Sequence, residues 1–201
     1  MNEKPILFSA PMMRATLDGS KTQTRRILKP QPIFAGGIAG GVLSNGLAVI
    51  YPEYLGGPGG HHFKSRWIVG DRLWVRETWQ SLVCYDHLKP SDIPVGSDVQ
   101  YPATYDGWVS RRRPAIHMPR WASRISLTVT DIRVQRLQDI SEEDALAEGA
   151  IRMVRDDEKF YESDRGTFLC GFAGIWGHIN GFGSWDANPW VAAITFERNA
   201  T

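Results

Sequence analysis

The clearest regularity in the chain is RISLTVTDIRVQRLQDI, residues 124–140. Ile125, Leu127 and Val129 alternate with polar neighbours, and Ile132 and Val134 resume the alternation after Thr130 and Asp131. A period of two puts one set of side chains on one face, so a long half-buried strand is predicted here. GDRLWVRETW (70–79) carries a second such pattern behind a Gly-Asp turn signal. One face presents Leu73, Val75, Glu77 and Trp79, and the other presents Arg72, Trp74, Arg76 and Thr78. PILFSA (5–10), TRRIL (24–28) and PWVAAITFE (189–197) predict three more strands, the second closed by Pro30 and Pro32. SDVQYPATYDG (97–107) predicts a strand interrupted by Pro102, with a turn at Asp106 and Gly107.

Helical signals are shorter. In PMMRATLDG (11–19), Pro11 suits a first turn and Gly19 is a stop. In SEEDALAEGA (141–150), Ser141 with Asp144 three residues on resembles a capping box, and Gly149 ends the run. FLCGFAGIWGHING (168–181) spaces Phe168, Phe172, Ile175, Trp176 and Ile179 helically, but its glycines weaken the signal. Residues 33–66 are glycine-rich with little periodicity, and residues 152–166 are charged and irregular. Both read as loop insertions. No internal repeat is found. The 201 residues therefore read as one mixed α+β domain, consistent with a small β-barrel carrying peripheral helices.

Composition narrows this outline without redirecting it. With 42% hydrophobic and 22% charged residues, the chain belongs with globular proteins rather than disordered ones. A net charge of +1 excludes a polycation, so any nucleic-acid contact must come from a local basic patch. No apolar run approaches the ~20 residues of a membrane span, and the first residues lack the apolar core of a signal peptide. Cys84 and Cys170 lie far apart and read as free thiols in a reducing cytoplasm. Eight tryptophans are many for this length, and Trp concentrates at pockets and interfaces.

Candidate chemistry falls in three places. Glu77 shares its predicted face with apolar residues, so it needs a cation or hydrogen-bond donors and is expected to pair with a lysine across a pocket, or else it sits at a strand end and reaches water. GSKTQTRR (19–26) contains no apolar residue. It reads either as a solvated loop or as a turn bringing Lys21 and Thr24 to one side, a base and a hydroxyl nucleophile, with Arg25 and Arg26 lowering the lysine's pKa or binding phosphate. The third place is the basic loop of Arg111, Arg112, Arg113, Arg120 and Arg124 around Trp108, Trp121 and His117. Basic residues interleaved with aromatics suit phosphate contact and base stacking, although a solvated loop has the same look. His61 and His62 have no third ligand nearby, so no metal site is expected. GGIAGG and GGPGG lack the context of a phosphate loop, and no cofactor fingerprint is present.

Four segments together resemble the phage and prophage branch of the ASCH (ASC-1 homology) domain family: PILFSAPMMRATLDGSKTQTRR, GDRLWVRETW, RPAIHMPRWASRISLTVTDIRVQRLQDISEEDALAEGA and FAGIWGHINGFGSWDANPWVAAITFE. The resemblance covers nearly the whole chain apart from 33–66 and 152–166. It implies a PUA-like fold, a small mixed β-barrel with flanking helices and a cleft. It also implies amidohydrolase activity on N4-acetylcytidine and related N4-acylcytosines, with Lys21, Thr24 and Glu77 as the matching catalytic positions. Trp79 or Tyr101 would stack the base, and Arg25 and Arg26 would contribute to substrate binding. This chain is about twice as long as the short enzymes of that family. Two other readings stand beside hydrolysis. One is a binding module for single-stranded RNA or a modified nucleotide, its phosphates on the 111–124 arginines; the other is a ribonuclease. An accessory protein acting through a protein partner is a further possibility.

Overall fold

The computed structural model describes residues 3–29, 31, 38–42, 47–52, 61–64, 66–105, 107, 109–156 and 159–199. Pro30, Pro32, Asp106, Trp108 and the glycines of 53–60, all used in the sequence reading, lie outside these residues, as do the side chains of His61 and His62. The fold is mixed α+β. Strands β1 (Glu3–Leu7), β2 (Gln23–Ile27), β6 (Arg72–Arg76), β9 (Ser126–Arg136) and β12 (Trp190–Arg198) form a mixed five-stranded sheet in the order β1-β6-β9-β12-β2. β1 pairs with β6 in parallel, whereas β6 with β9 and β12 with β2 are antiparallel. No closed barrel forms among the described residues.

The chain divides into two compact units. The first comprises Met1–Gly19, Asp71–Thr128 and Glu197–Thr201. Its helix α1 (Ala10–Asp18) begins with a proline in the first turn and stops at Gly19. Gly19 has φ 87°, and a Cβ there would meet nothing within 4 Å, so the left-handed backbone rather than space calls for glycine. The expected alternation holds through β6 and beyond: Leu73, Val75, Glu77 and Trp79 are all buried. Trp74, predicted on the opposite face, is buried as well, under the guanidinium of Arg76 at 4.5 Å from its ring centre. A cluster of Trp79, Ile93, Met118 and Ala122 packs with Tyr85, Leu88, Val99, Tyr101 and Trp121. The strand read over 97–107 is only β8 (Val99–Gln100), paired with β7 (Gln80–Ser81). Pro102 cannot donate to a ladder, and the chain turns there.

The second unit comprises Ser20–Gly70 and Val129–Phe196. Its core joins Leu137, Ile140, Ala145, Ala150, Phe172, Trp176 and Val191. Helix α2 (Glu142–Ala147) starts as read, with Ser141 Oγ accepting the Asp144 N–H at 3.1 Å. Helix α3 (Phe168–Asn180) is capped by Thr167, whose Oγ1 accepts from the Cys170 N–H at 3.0 Å, and by the Glu142 carboxylate, which accepts from the Phe168 N–H at 2.9 Å. The glycines that weakened this helix on paper include one that packing requires. A Cβ on Gly171 would lie 2.0 Å from the Ile151 carbonyl oxygen.

Both segments read as loop insertions contain strands. β3 (Ile38–Val42), β4 (Leu47–Pro52) and β5 (His61–Lys64) form an antiparallel three-stranded sheet, and β10 (Met153–Asp156) pairs with β11 (Lys159–Glu162) as a hairpin. The hairpin escapes pattern reading because its residues are exposed or half-buried throughout, which leaves no buried face to alternate. Glycine has low strand propensity, and Gly40 and Gly41 hide β3.

Candidate functional site

GSKTQTRR is neither a solvated loop nor a free turn. Strand β2 begins at Gln23, and Lys21 just ahead of it forms a backbone bridge with Glu148. Lys21, Gln23, Thr24 and Arg25 are all buried, with Thr24 at 1% exposure. Lys21 Nζ donates to Gln23 O at 2.7 Å, Glu148 O at 2.8 Å and Glu148 Oε2 at 2.8 Å. An ammonium has three N–H bonds, and these acceptors match them. Burial pushes the Lys21 pKa down, against the opposing pull of Glu148. Arg25 extends the network. Its guanidinium reaches Glu148 Oε1 at 3.1 Å, Asp144 Oδ2 at 2.7 Å and Gln23 Oε1 at 2.6 Å. It also lies 5.8 Å from the Phe172 ring centre. Asp144 accepts from Arg133 as well, at 2.9 and 3.0 Å. Burial opposes its ionisation, but Arg133 and Arg25 outweigh that and hold its pKa below the ordinary carboxylate range. Arg26 is half-buried, and desolvation lowers its pKa.

Glu77 belongs to the first unit and is 2% exposed. Its cation is not the expected lysine but Arg124, whose Nε–H donates to Oε1 at 2.8 Å and Nη2–H to Oε2 at 3.0 Å, a bidentate pair that suits a carboxylate better than an ammonium does. The Arg124 guanidinium carbon also sits 4.1 Å from the centre of the Tyr101 ring, and Tyr101 donates its hydroxyl to Ala122 O at 2.8 Å. Desolvation raises the Glu77 pKa, and Arg124 only partly offsets it. Tyr101 is likewise raised by burial. Trp79 is fully buried, edge-on to Trp121 with ring centres 6.1 Å apart, and bridges through its backbone to Arg113. Of the basic loop, Arg120 pairs with Glu3 at 2.7 Å and Arg124 is spent on Glu77. Arg111 and Arg112 are exposed, and Arg113 is 3% exposed.

Sequence reasoning reached Glu77 and Lys21 but missed Glu148, Asp144 as an ion partner, and Gln23. The available signal was Glu148 itself, an acid beside the glycine that ends α2. Among the described residues, no three His, Cys, Asp or Glu side chains assemble as a metal site, and no helix is long and apolar enough to cross a membrane. Cys84 is exposed and Cys170 half-buried, both free. Comparisons with protein-family models, curated proteins and solved structures found no match to this chain.

Proposed function

We propose that the protein is an amidohydrolase that removes the acyl group from N4-acylated cytosine nucleosides or bases, on a PUA-like ASCH fold, with Glu77 as its general base. The observation that carries this reading is the state of Glu77. A carboxylate 2% exposed, with its pKa raised by desolvation, is the kind of group that serves as a general base. In the reaction, Glu77 takes a proton from water as the water oxygen adds to the acyl carbonyl carbon. The tetrahedral intermediate then expels the exocyclic N4, which receives the proton. The products are cytidine and the carboxylic acid. Lys21, whose three N–H bonds are matched by acceptors of its own unit, is not the base.

Incubation with N4-acetylcytidine tests this directly. Cytidine and acetate released in equal amounts support the proposal, and the absence of turnover at micromolar enzyme sinks it. A second reading, a modified-nucleotide or RNA binding module without catalysis, is favoured by the pairing of both charges: Lys21 is saturated and both Glu77 oxygens are held by Arg124. Binding of N4-acetylcytidine without turnover distinguishes it.

A further inference from the structure

The first unit contains a cavity of about 400 Å³ whose wall includes His87, Lys89, Arg111, Arg113, Pro114 and His117. Its volume falls within the ~300–1,000 Å³ of small-molecule sites. The side chains around it include one lysine, two arginines and two imidazoles, and no carboxylate is part of its lining. Arg113 is the unusual member. It is 3% exposed, yet its guanidinium is held by carbonyls alone, donating Nη1 to Leu88 O at 3.0 Å and Nη2 to Tyr85 O at 2.7 Å. The Trp79 ring adds a cation–π contact at 5.6 Å. Its Nε–H is buried without a hydrogen-bond partner. Among the described residues, Lys89, Arg111 and Arg113 form no ion pair. Asp86 acts on Arg113 only at longer range, because its carboxylate oxygens accept from the Arg111 backbone N–H at 3.0 and 3.1 Å.

A buried guanidinium without an anion is costly, and a cavity beside it with two further cations supplies room for one. Backbone carbonyls orient the charge without neutralising it. We propose that this cavity is a nucleotide site in which Arg113, Arg111 and Lys89 receive a phosphomonoester while His87, His117 and Pro114 flank the nucleoside. Phosphate takes guanidinium bidentately, and Arg suits it better than Lys at a fixed wall. Imidazole and proline faces accept a sugar or base by stacking and apolar contact. The site stands on its own geometry and would exist whether or not the protein hydrolyses acylcytosines. Its bearing on that chemistry is that the preferred substrate form would be phosphorylated.

The test is calorimetric titration of the full chain with inorganic phosphate, cytidine and cytidine 5′-monophosphate at low salt, and again at raised salt. The nucleotide should bind, weaken as salt rises, and exceed both phosphate and cytidine in affinity. The double variant Lys89→Gln, Arg111→Gln, both positions exposed, should lose about tenfold or more of that affinity with its melting curve unchanged. Arg113→Lys, which keeps the charge but not the fork, should weaken nucleotide binding also. The proposal is overturned if the nucleotide fails to bind, binds no better than inorganic phosphate, or binds the double variant as well as the parent. Cytidine release from N4-acetylcytidine is a separate readout, so failure of the hydrolase reading and failure of this site are told apart.

Discussion

The two units bury charge in different ways. In the second unit, Lys21 and Arg25 are answered by Glu148, Asp144 and Gln23, a network in which each cation has several acceptors. In the first, Glu77 is answered by one arginine whose side chain remains 25% exposed, and Arg113 by carbonyls. A densely bonded network holds a fold, because each member is fixed by several others, although the Arg25 Nε–H stays buried without a partner. What sets the first unit apart is that Glu77 has one cation and Arg113 no carboxylate partner at hydrogen-bond distance, which leaves room for a ligand to complete the set. The proposed chemistry therefore rests on Glu77 and the Arg113 cavity, and the lysine network holds the fold.

The largest expected effect comes from breaking the saturated side. Glu148→Ala leaves Lys21 and Arg25 without their shared carboxylate, and loss of one partner in a buried ion network costs about 3–5 kcal/mol. Urea denaturation should show it as a lowered midpoint with unchanged slope. Glu148→Gln, which keeps an acceptor, should cost less. Arg124→Ala comes next. Arg124 is partly exposed, so the loss should be about 1–3 kcal/mol, and Glu77 should hold its proton to still higher pH.

The pH dependence sharpens the same contrast. The native state raises the Glu77 pKa, so over the window from the ordinary carboxylate value up to the raised one it binds more protons than the unfolded chain. Stability contributed by Glu77 is therefore present below that window and is lost as pH rises through it. Asp144, with its lowered pKa, works the other way: its contribution is present at higher pH and is lost as pH falls. Subtracting the stability of Glu77→Gln from that of the parent across pH isolates the first trend, and the difference should fall with rising pH. The smallest effect is expected at the exposed loop. Arg112→Gln should change stability by no more than about 0.5 kcal/mol, as read from the melting midpoint.

The legible and hidden parts of the molecule separate along the same physical line. Strand β9 and the buried face of β6 were readable because one face meets the core and the other does not, so alternation records burial. Helix α2 was readable from its cap, which is local. The apolar companions of Glu77 made burial one of two readings, and Arg124, 47 residues away, left no mark beside it that would decide between them. Glu148 lies 127 residues from Lys21, and no local pattern links them. GSKTQTRR looked solvated because composition reports polarity, and polarity is buried whenever partners arrive from elsewhere in the chain. Gly171 read as a flaw in α3 and is a requirement of close packing against Ile151.

The central claim is that Glu77, rather than the saturated lysine, supplies the base. The most direct measurement is the rate of cytidine release from N4-acetylcytidine by the parent and by Glu77→Gln, compared at equal folded fraction from their melting curves. The account predicts that the parent turns over, that its rate falls as pH drops through a value above the ordinary glutamate range, and that the variant loses about a hundredfold or more. A folded Glu77→Gln variant that releases cytidine at the parent's rate would contradict it.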